Sequence, residues 1–300
     1  MAANFWKSSH YSQWVLDRQE ILAGREEDLS YLSEDEIFKI HMFFANFIRH
    51  LGDLLKLRQQ VIATAIVYFK RFYSRNSLKS IAPLLLAPTC ILLASKAEEC
   101  GIINSGRFIN ACTNVGKCLL IFPLEMNVIT IIIMLSVVNV GIVTVKQKYS
   151  SYFGSDYPYK MSVILECEFF LLELLDCSLI VFHPYRPLLQ FVEDFEKKDA
   201  LLPCAWRAIN DSYNTDICLM YPPYIIALAC LHTACIIQSI DCTQWFAELS
   251  VDLDLLFEVT RQIVALYELL KTYEESAEMK SLLDKIALPK GGRYDGKLMK

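Results

Sequence analysis

The sequence predicts an all-α protein: two tandem five-helix units preceded by an N-terminal helix. Three observations carry that reading. Apolar residues recur with the 3.6-residue helical period between capping signals. Alternation with a period of two persists nowhere outside residues 128–145. A weak internal repeat sets Pro88-x5-Ala94-Ser95-Lys96 beside Pro223-x5-Ala229-Cys230-Leu231. Both are Pro-initiated helices with small residues on one side, suited to a central helix ringed by others. In that register Leu231 takes the place of Lys96.

Ser8 and Ser9 are N-caps for a short amphipathic helix through Trp14, Leu16 and Ile21. Ser33 with Glu36 reads as a capping box. It opens a helix carrying Ile37, Ile40, Phe44, Phe47, Ile48 and Leu51, with Gly52 as its stop. Gln59 to Tyr73 is the next helix, and Ala63 and Ala65 allow a neighbour close. Pro83 and Pro88 punctuate the entry to the helix of Lys96, and Gly101 ends it. Arg107 to Val115 and Tyr159 to Cys177 complete the first unit. The second unit places helices from His183 to about Glu196, Leu201–Met220, Tyr224–Gln238, Thr243–Leu249 and Leu253–Glu274. The domain reading is residues 1–30, 31–178, 179–275 and a flexible tail over 276–300.

The chain has 300 residues, abundant apolar side chains and few glycines and prolines, which fits a globular helical protein. Its net charge is −5 with no basic block, which argues against phosphate-driven nucleic-acid binding. The eleven cysteines lie mostly inside apolar helical runs, with no CxxC pair, as expected of buried thiols in a reducing compartment. The N-terminus lacks the basic-then-apolar pattern of a signal peptide.

Lys96 stands in a strongly apolar run, Cys90-Ile91-Leu92-Leu93-Ala94-Ser95-Lys96. A lone lysine there is costly to bury unless an anion meets it. A second apolar run, Val163-Ile164-Leu165-Glu166-Cys167-Glu168-Phe169-Phe170, carries the reverse anomaly. The expectation is that the two helices pack and Lys96 pairs with Glu166 at the core edge. The alternative is a lysine that snorkels to solvent or pairs locally with Glu99.

Several longer strings resemble the cyclin family. They are Leu93-Ala94-Ser95-Lys96-x-Glu98-Glu99, Asn4-Phe5-Trp6-x-Ser8-Ser9-His10-x2-Gln13-Trp14, Lys56 to Ala65, Tyr68 to Tyr73, His183 to Gln190 and Gln244 to Asp252. The resemblance covers nearly all of residues 1–280 and is to the cyclins of the Mediator kinase module. It implies two cyclin boxes in a non-catalytic, nuclear subunit that activates a Mediator-associated cyclin-dependent kinase in RNA polymerase II transcription. Other kinase-module subunits are implied partners, without direct nucleic-acid or membrane binding and without a cofactor. The implied kinase contacts are Lys96, Glu98, Glu99 and Glu166. Trp6 and Trp14 form a recognition helix or clamp that helix to its own domain. The substrate-docking Met-Arg-Ala-Ile-Leu motif of cell-cycle cyclins is replaced by Glu36-Ile37-Phe38-Lys39-Ile40-His41-Met42, favouring the transcriptional branch. The alternative is a general-transcription-factor-like scaffold of the same fold that activates no kinase; it would need a basic face, and this chain is acidic.

Residues 116–144 have no counterpart in the family pattern. Residues 128–145 carry no charge and match a minimal membrane span in length, yet a span inside one five-helix unit would pull its core apart. Gly116-Lys117-Cys118 can be encoded with a splice donor and Thr144-Val145 with an acceptor. The segment is thus either a retained intron or a genuine insertion looped out of the first unit. Sequencing the mature transcript separates them.

The five histidines, His10, His41, His50, His183 and His232, lack HExxH or His/Cys metal spacing. No phosphate-binding glycine loop is present. Glu166 and Glu173 share a helical face without any sign of a cleft.

Overall fold

The computed structural model describes residues 4–101, 103–115, 157–195, 197–273 and 275–286; the insertion at 116–144 and the end of the tail lie outside them. Among the described residues there are fifteen α-helices and no strand. Ser9–Trp14 (α1), Arg18–Gly24 (α2) and Glu26–Leu29 (α3) lead in. The single amphipathic helix expected through Ile21 is broken, because Asp17 forms a capping box with Glu20 and restarts the chain as α2.

The first unit contains Glu34–Leu55 (α4), Gln59–Tyr73 (α5), Pro83–Ala97 (α6), Ser105–Val115 (α7) and Met161–Leu174 (α8). The Ser33–Glu36 capping box opens α4 as the sequence indicates. Gly52 is not its stop: α4 runs on to Leu55 and ends at Lys56 in the left-handed region. Gly52 instead lets α5 approach, since a Cβ there would lie 2.5 Å from Ile62 Cγ1. Pro88 also departs from expectation, lying inside α6. It has no N–H for the Leu84 carbonyl four residues back. The Tyr157 hydroxyl donates to that carbonyl at 3.1 Å and replaces the missing bond. Helices α4, α5 and α8 all pack on α6, which is buried nearly throughout.

The second unit repeats the plan. Tyr185–Val192 (α9), Lys198–Ser212 (α10) and Leu253–Thr272 (α14) surround Pro223–Ile237 (α12), with Ile217–Met220 (α11) and Thr243–Glu248 (α13) as short connectors. The single helix expected over Leu201–Met220 is interrupted at Tyr213–Asp216. Both central helices start with Pro at N1 and end alike. Glu98 and Cys100 N–H donate to Ala94 and Ser95; Gln238 and Ile240 N–H donate to Ala234 and Cys235. Between them Glu99 and Ser239 take φ of 51° and 53°. The structural repeat therefore pairs Pro83 with Pro223 and Lys96 with Ile236. Leu231, the sequence-level counterpart of Lys96, is fully buried.

Residues 275–286 are not a flexible tail. They form Glu275–Ile286 (α15), which buries Met279, Leu282 and Ile286 and packs on α4. Lys39 pairs with Glu278, and Lys285 with Glu36 at 2.5 Å. The segment that replaces the substrate-docking motif is thus engaged by α15 on its polar side.

Gly24 ends α2 against the turn after α5. A Cβ there would lie 1.8 Å from the Ser74 carbonyl oxygen, and backbone on both sides leaves little room to yield. Gly24→Ala is expected to destabilise the protein by about 1–3 kcal/mol or more through overpacking, read as a lower thermal midpoint.

Candidate functional site

Helix α8 lies along α6, and its buried stripe is Ile164, Cys167 and Leu171. Glu168 is one turn from Ile164 and borders that stripe. Glu166 is two residues away, on the far side, and exposed. Lys96 Nζ therefore meets Glu168 at 2.7 Å, not Glu166. The Glu168 side chain is 10% exposed and that of Lys96 54%, so the pair sits where the core opens to solvent. The expected cation–anion contact is present, with the anion displaced by two residues. The sequence does carry the signal for the right choice, in the 3–4 spacing of the buried stripe.

Glu98 has an internal role. Its two carboxylate oxygens accept from Thr64 Oγ1 and Gln60 Nε2, each at 2.6 Å, tying the end of α6 to α5. His183 Nε2 lies 2.7 Å from Thr64 Oγ1, and its Nδ1 lies 2.7 Å from the Tyr213 hydroxyl. A neutral ring with the proton on Nε2 satisfies both contacts: Tyr213 donates to Nδ1, and Nε2–H donates to Thr64. Burial, then Arg71, pushes the His183 pKa down to about 3, consistent with a neutral ring. Glu99 remains exposed beside Lys96.

The two tryptophans separate. Trp14 is fully buried, with Arg75 3.9 Å and Arg71 5.0 Å from its ring. It clamps the N-terminal helix onto the first unit and has no surface to offer a partner, which corrects its placement on a recognition helix. Trp6 is exposed, edge-on to Tyr11 and 5.9 Å from Tyr224.

Sequence reasoning missed the apolar surface around the ion pair. Phe169 is 74% exposed, and Leu165, Phe170 and Leu174 on the same helix are also exposed. Scattered exposed apolar side chains are ordinary, but Leu165 and Phe169 adjoin Glu168 on successive turns and form a contact surface with the half-buried ion pair. Phe170 and Leu174 lie farther round the helix. The carboxylates raised for acid–base work stand on this open face. A separate cleft of about 600 Å³ between the units is lined by Phe38, Met220, Leu266 and the Arg25–Asp216 pair, and its lining holds no histidine, cysteine or lysine. Among the described residues no cluster of three or more His, Cys, Asp or Glu could hold a metal, and no helix is long and apolar enough to cross a membrane.

Comparison with known proteins agrees with this architecture. Residues 27–180 match the cyclin N-terminal domain and residues 183–281 the cyclin C-terminal domain. The chain is 53% identical to Cyclin-C of Drosophila melanogaster, covering 97% of this chain and 98% of that protein. It is 51% identical to Cyclin-C of Rattus norvegicus, over 97% of this chain and 92% of that one. Cyclin-C1-1 of Oryza sativa subsp. japonica is 38% identical over 96% of each. Among solved structures, a chain of the yeast TFIIK complex superposes with a TM-score of 0.61 at 23% identity, over 87% of this chain and 99% of that one. A chain of the Chaetomium thermophilum CAK complex gives 0.62 at 18% identity, over 94% and 87%. These two likenesses show the fold.

Proposed function

The chain belongs to the cyclin family, and on that premise we propose that it is the non-catalytic regulatory subunit of a Mediator-associated cyclin-dependent kinase. In this reading it acts in the nucleus on RNA polymerase II transcription, alongside the other kinase-module subunits. The observation that carries the proposal is the exposed apolar face of α8, formed by Leu165 and Phe169, beside the Lys96–Glu168 pair. The first box presses that face on the kinase helix bearing the catalytic glutamate and completes the lysine–glutamate pair that positions ATP. Phe169 is the apolar anchor. Lys96 and Glu168 supply oriented polar contacts at its edge, with Glu99 reaching further out. Because Glu168 already holds Lys96, both side chains lose less freedom on binding than free ones would.

The test uses the purified chain with its cognate Mediator-associated kinase, scored for complex formation and for phosphorylation of an RNA polymerase II peptide. Phe169→Glu is expected to weaken the complex by about 100-fold or more, as when a charge is buried unpaired at an interface centre. Lys96→Ala with Glu168→Ala is expected to cost roughly 10-fold or more. Glu166→Ala should be near neutral. All three variants alter exposed or edge positions and should keep the helical fold. Full kinase binding by Phe169→Glu would move the interface elsewhere; binding without any rise in kinase activity would favour the scaffold reading.

A further inference from the structure

The second unit repeats the two-helix surface that carries the kinase-facing reading, with different chemistry. Counting α8 and α14 from their N-caps, Lys160 and Asp252, aligns the buried stripe Ile164, Cys167, Leu171 with Leu256, Val259, Ile263. In this register Glu168 corresponds to Thr260 and Leu165 to Phe257. The end-of-helix match between α6 and α12 sets Lys96 against Ile236. The ion pair of the first unit is thus absent from the second. Thr260 bonds its own helix at Leu256 O, and Ile236 stands 58% exposed where the lysine would be. Phe257 is 50% exposed, with Leu253 and Val264 on the same stripe of α14. His232, one turn before Ile236, lies edge-on to Phe257 at 5.6 Å and to Phe246 at 5.2 Å, which joins the two helices into one shallow surface.

The frame of this surface is acidic. Asp252 caps α14, Asp254 and Glu258 flank Phe257, Glu248 ends α13 and Asp241 follows α12. Arg261 is the basic residue among them and is held by Glu258. We propose that this face of the second unit docks an amphipathic helix of another polypeptide, with an apolar stripe flanked by lysine and arginine. A second copy of this chain fits poorly, because its own apolar helix face, on α8, carries Glu166 and Glu173 and would meet like charge. The surface lies on the unit that does not hold Lys96, so the first unit and its partner remain accessible together.

The experiment uses the full chain without a kinase and two fluorescent helical peptides sharing one leucine stripe. One peptide is flanked by Lys and Arg, the other by Glu. Fluorescence anisotropy is expected to show binding of the basic peptide, weakening as salt rises. Phe257→Glu and Ile236→Glu should each reduce its affinity about 30-fold or more. Phe169→Glu should change it by less than about 2-fold, since contact hot spots act locally. Circular dichroism checks that each variant keeps its helix content, and Val264→Glu replaces any that does not. The proposal is overturned if the basic peptide fails to bind or if the acidic peptide binds equally well. It is also overturned if Phe169→Glu rather than Phe257→Glu abolishes binding, or if the chain forms a dimer that Phe257→Glu breaks.

Discussion

Asp216→Ala should destabilise the folded chain by about 3–5 kcal/mol, the usual consequence of stranding a buried charge. Asp216 lies between the two units, ahead of α11. One carboxylate oxygen accepts from Arg25 Nη1 at 2.6 Å, the other from Lys70 Nζ at 3.1 Å. The Lys70 side chain is fully buried and that of Arg25 is 8% exposed. Burial alone would push the Asp216 carboxyl up, but Arg25 and Lys70 hold it well below the ordinary carboxylate range. Removing it leaves two like charges in a low-dielectric site with no anion between them. Arg25 Nε and Nη2 already lack partners, so it has no alternative acceptor at hand. The loss should appear as a lower urea midpoint with an unchanged slope. Lys70→Met in the Asp216→Ala background should recover part of it, because one stranded charge is then gone. If Asp216→Ala unfolds at the wild-type midpoint, the network contributes nothing to the joint between the units.

This triad was invisible in the sequence, and the reason is general. Arg25, Lys70 and Asp216 are far apart along the chain, and each sits in a segment whose local pattern is already explained. What the sequence does carry is short-range. The Ser33–Glu36 cap and the period of Gln59–Tyr73 depend on neighbours within one or two turns, and both stand in the structure as read. Errors arise where a residue has two competing uses. Gly52 reads as a terminator but serves close packing, and Pro88 reads as a boundary but is tolerated because Tyr157 covers the orphan carbonyl. The ion pair is legible as a charge anomaly, but its anion is Glu168 and not Glu166, because the helical face and not the charge pattern decides which carboxylate reaches Lys96. Helix α15 was missed although Met279, Leu282 and Ile286 keep the 3–4 spacing, since the charged residues between them dilute the signal.

Acidification from pH 7 to pH 5 should unfold the protein or bring it close to unfolding. His10 and His41 are buried and His183 is half-buried, and all three are neutral. Burial, followed by Arg71 and His183, pushes His10 down to about 2, and its Nδ1 accepts from the Phe182 N–H at 3.0 Å. Burial, then Arg25, holds His41 well below its ordinary value; Lys70 adds to that and Asp216 opposes it. Its ring has no hydrogen-bond partner and lies against Phe69 and Tyr73. In the unfolded chain each imidazole protonates near 6.5, so below that pH the unfolded state binds more protons than the folded one. Stability is therefore fully present above pH 6.5 and is lost as pH falls toward the depressed folded values. One linked proton is worth about 1.4 kcal/mol per pH unit, so three give about 4 kcal/mol per unit. That compares with a typical total of about 5–15 kcal/mol for a folded protein. Asp211 and Asp53, pushed up by burial, act in the opposite sense, in a window that starts at the ordinary carboxylate value. Urea titrations at pH 7, 6 and 5 measure the slope directly. His41→Phe, whose ring can occupy the same aromatic contacts, should remove about one proton from it. A stability that is flat between pH 6.5 and 5 would mean that these imidazoles are protonated in the folded chain, and the Tyr213–His183–Thr64 hydrogen bonds would then need another arrangement.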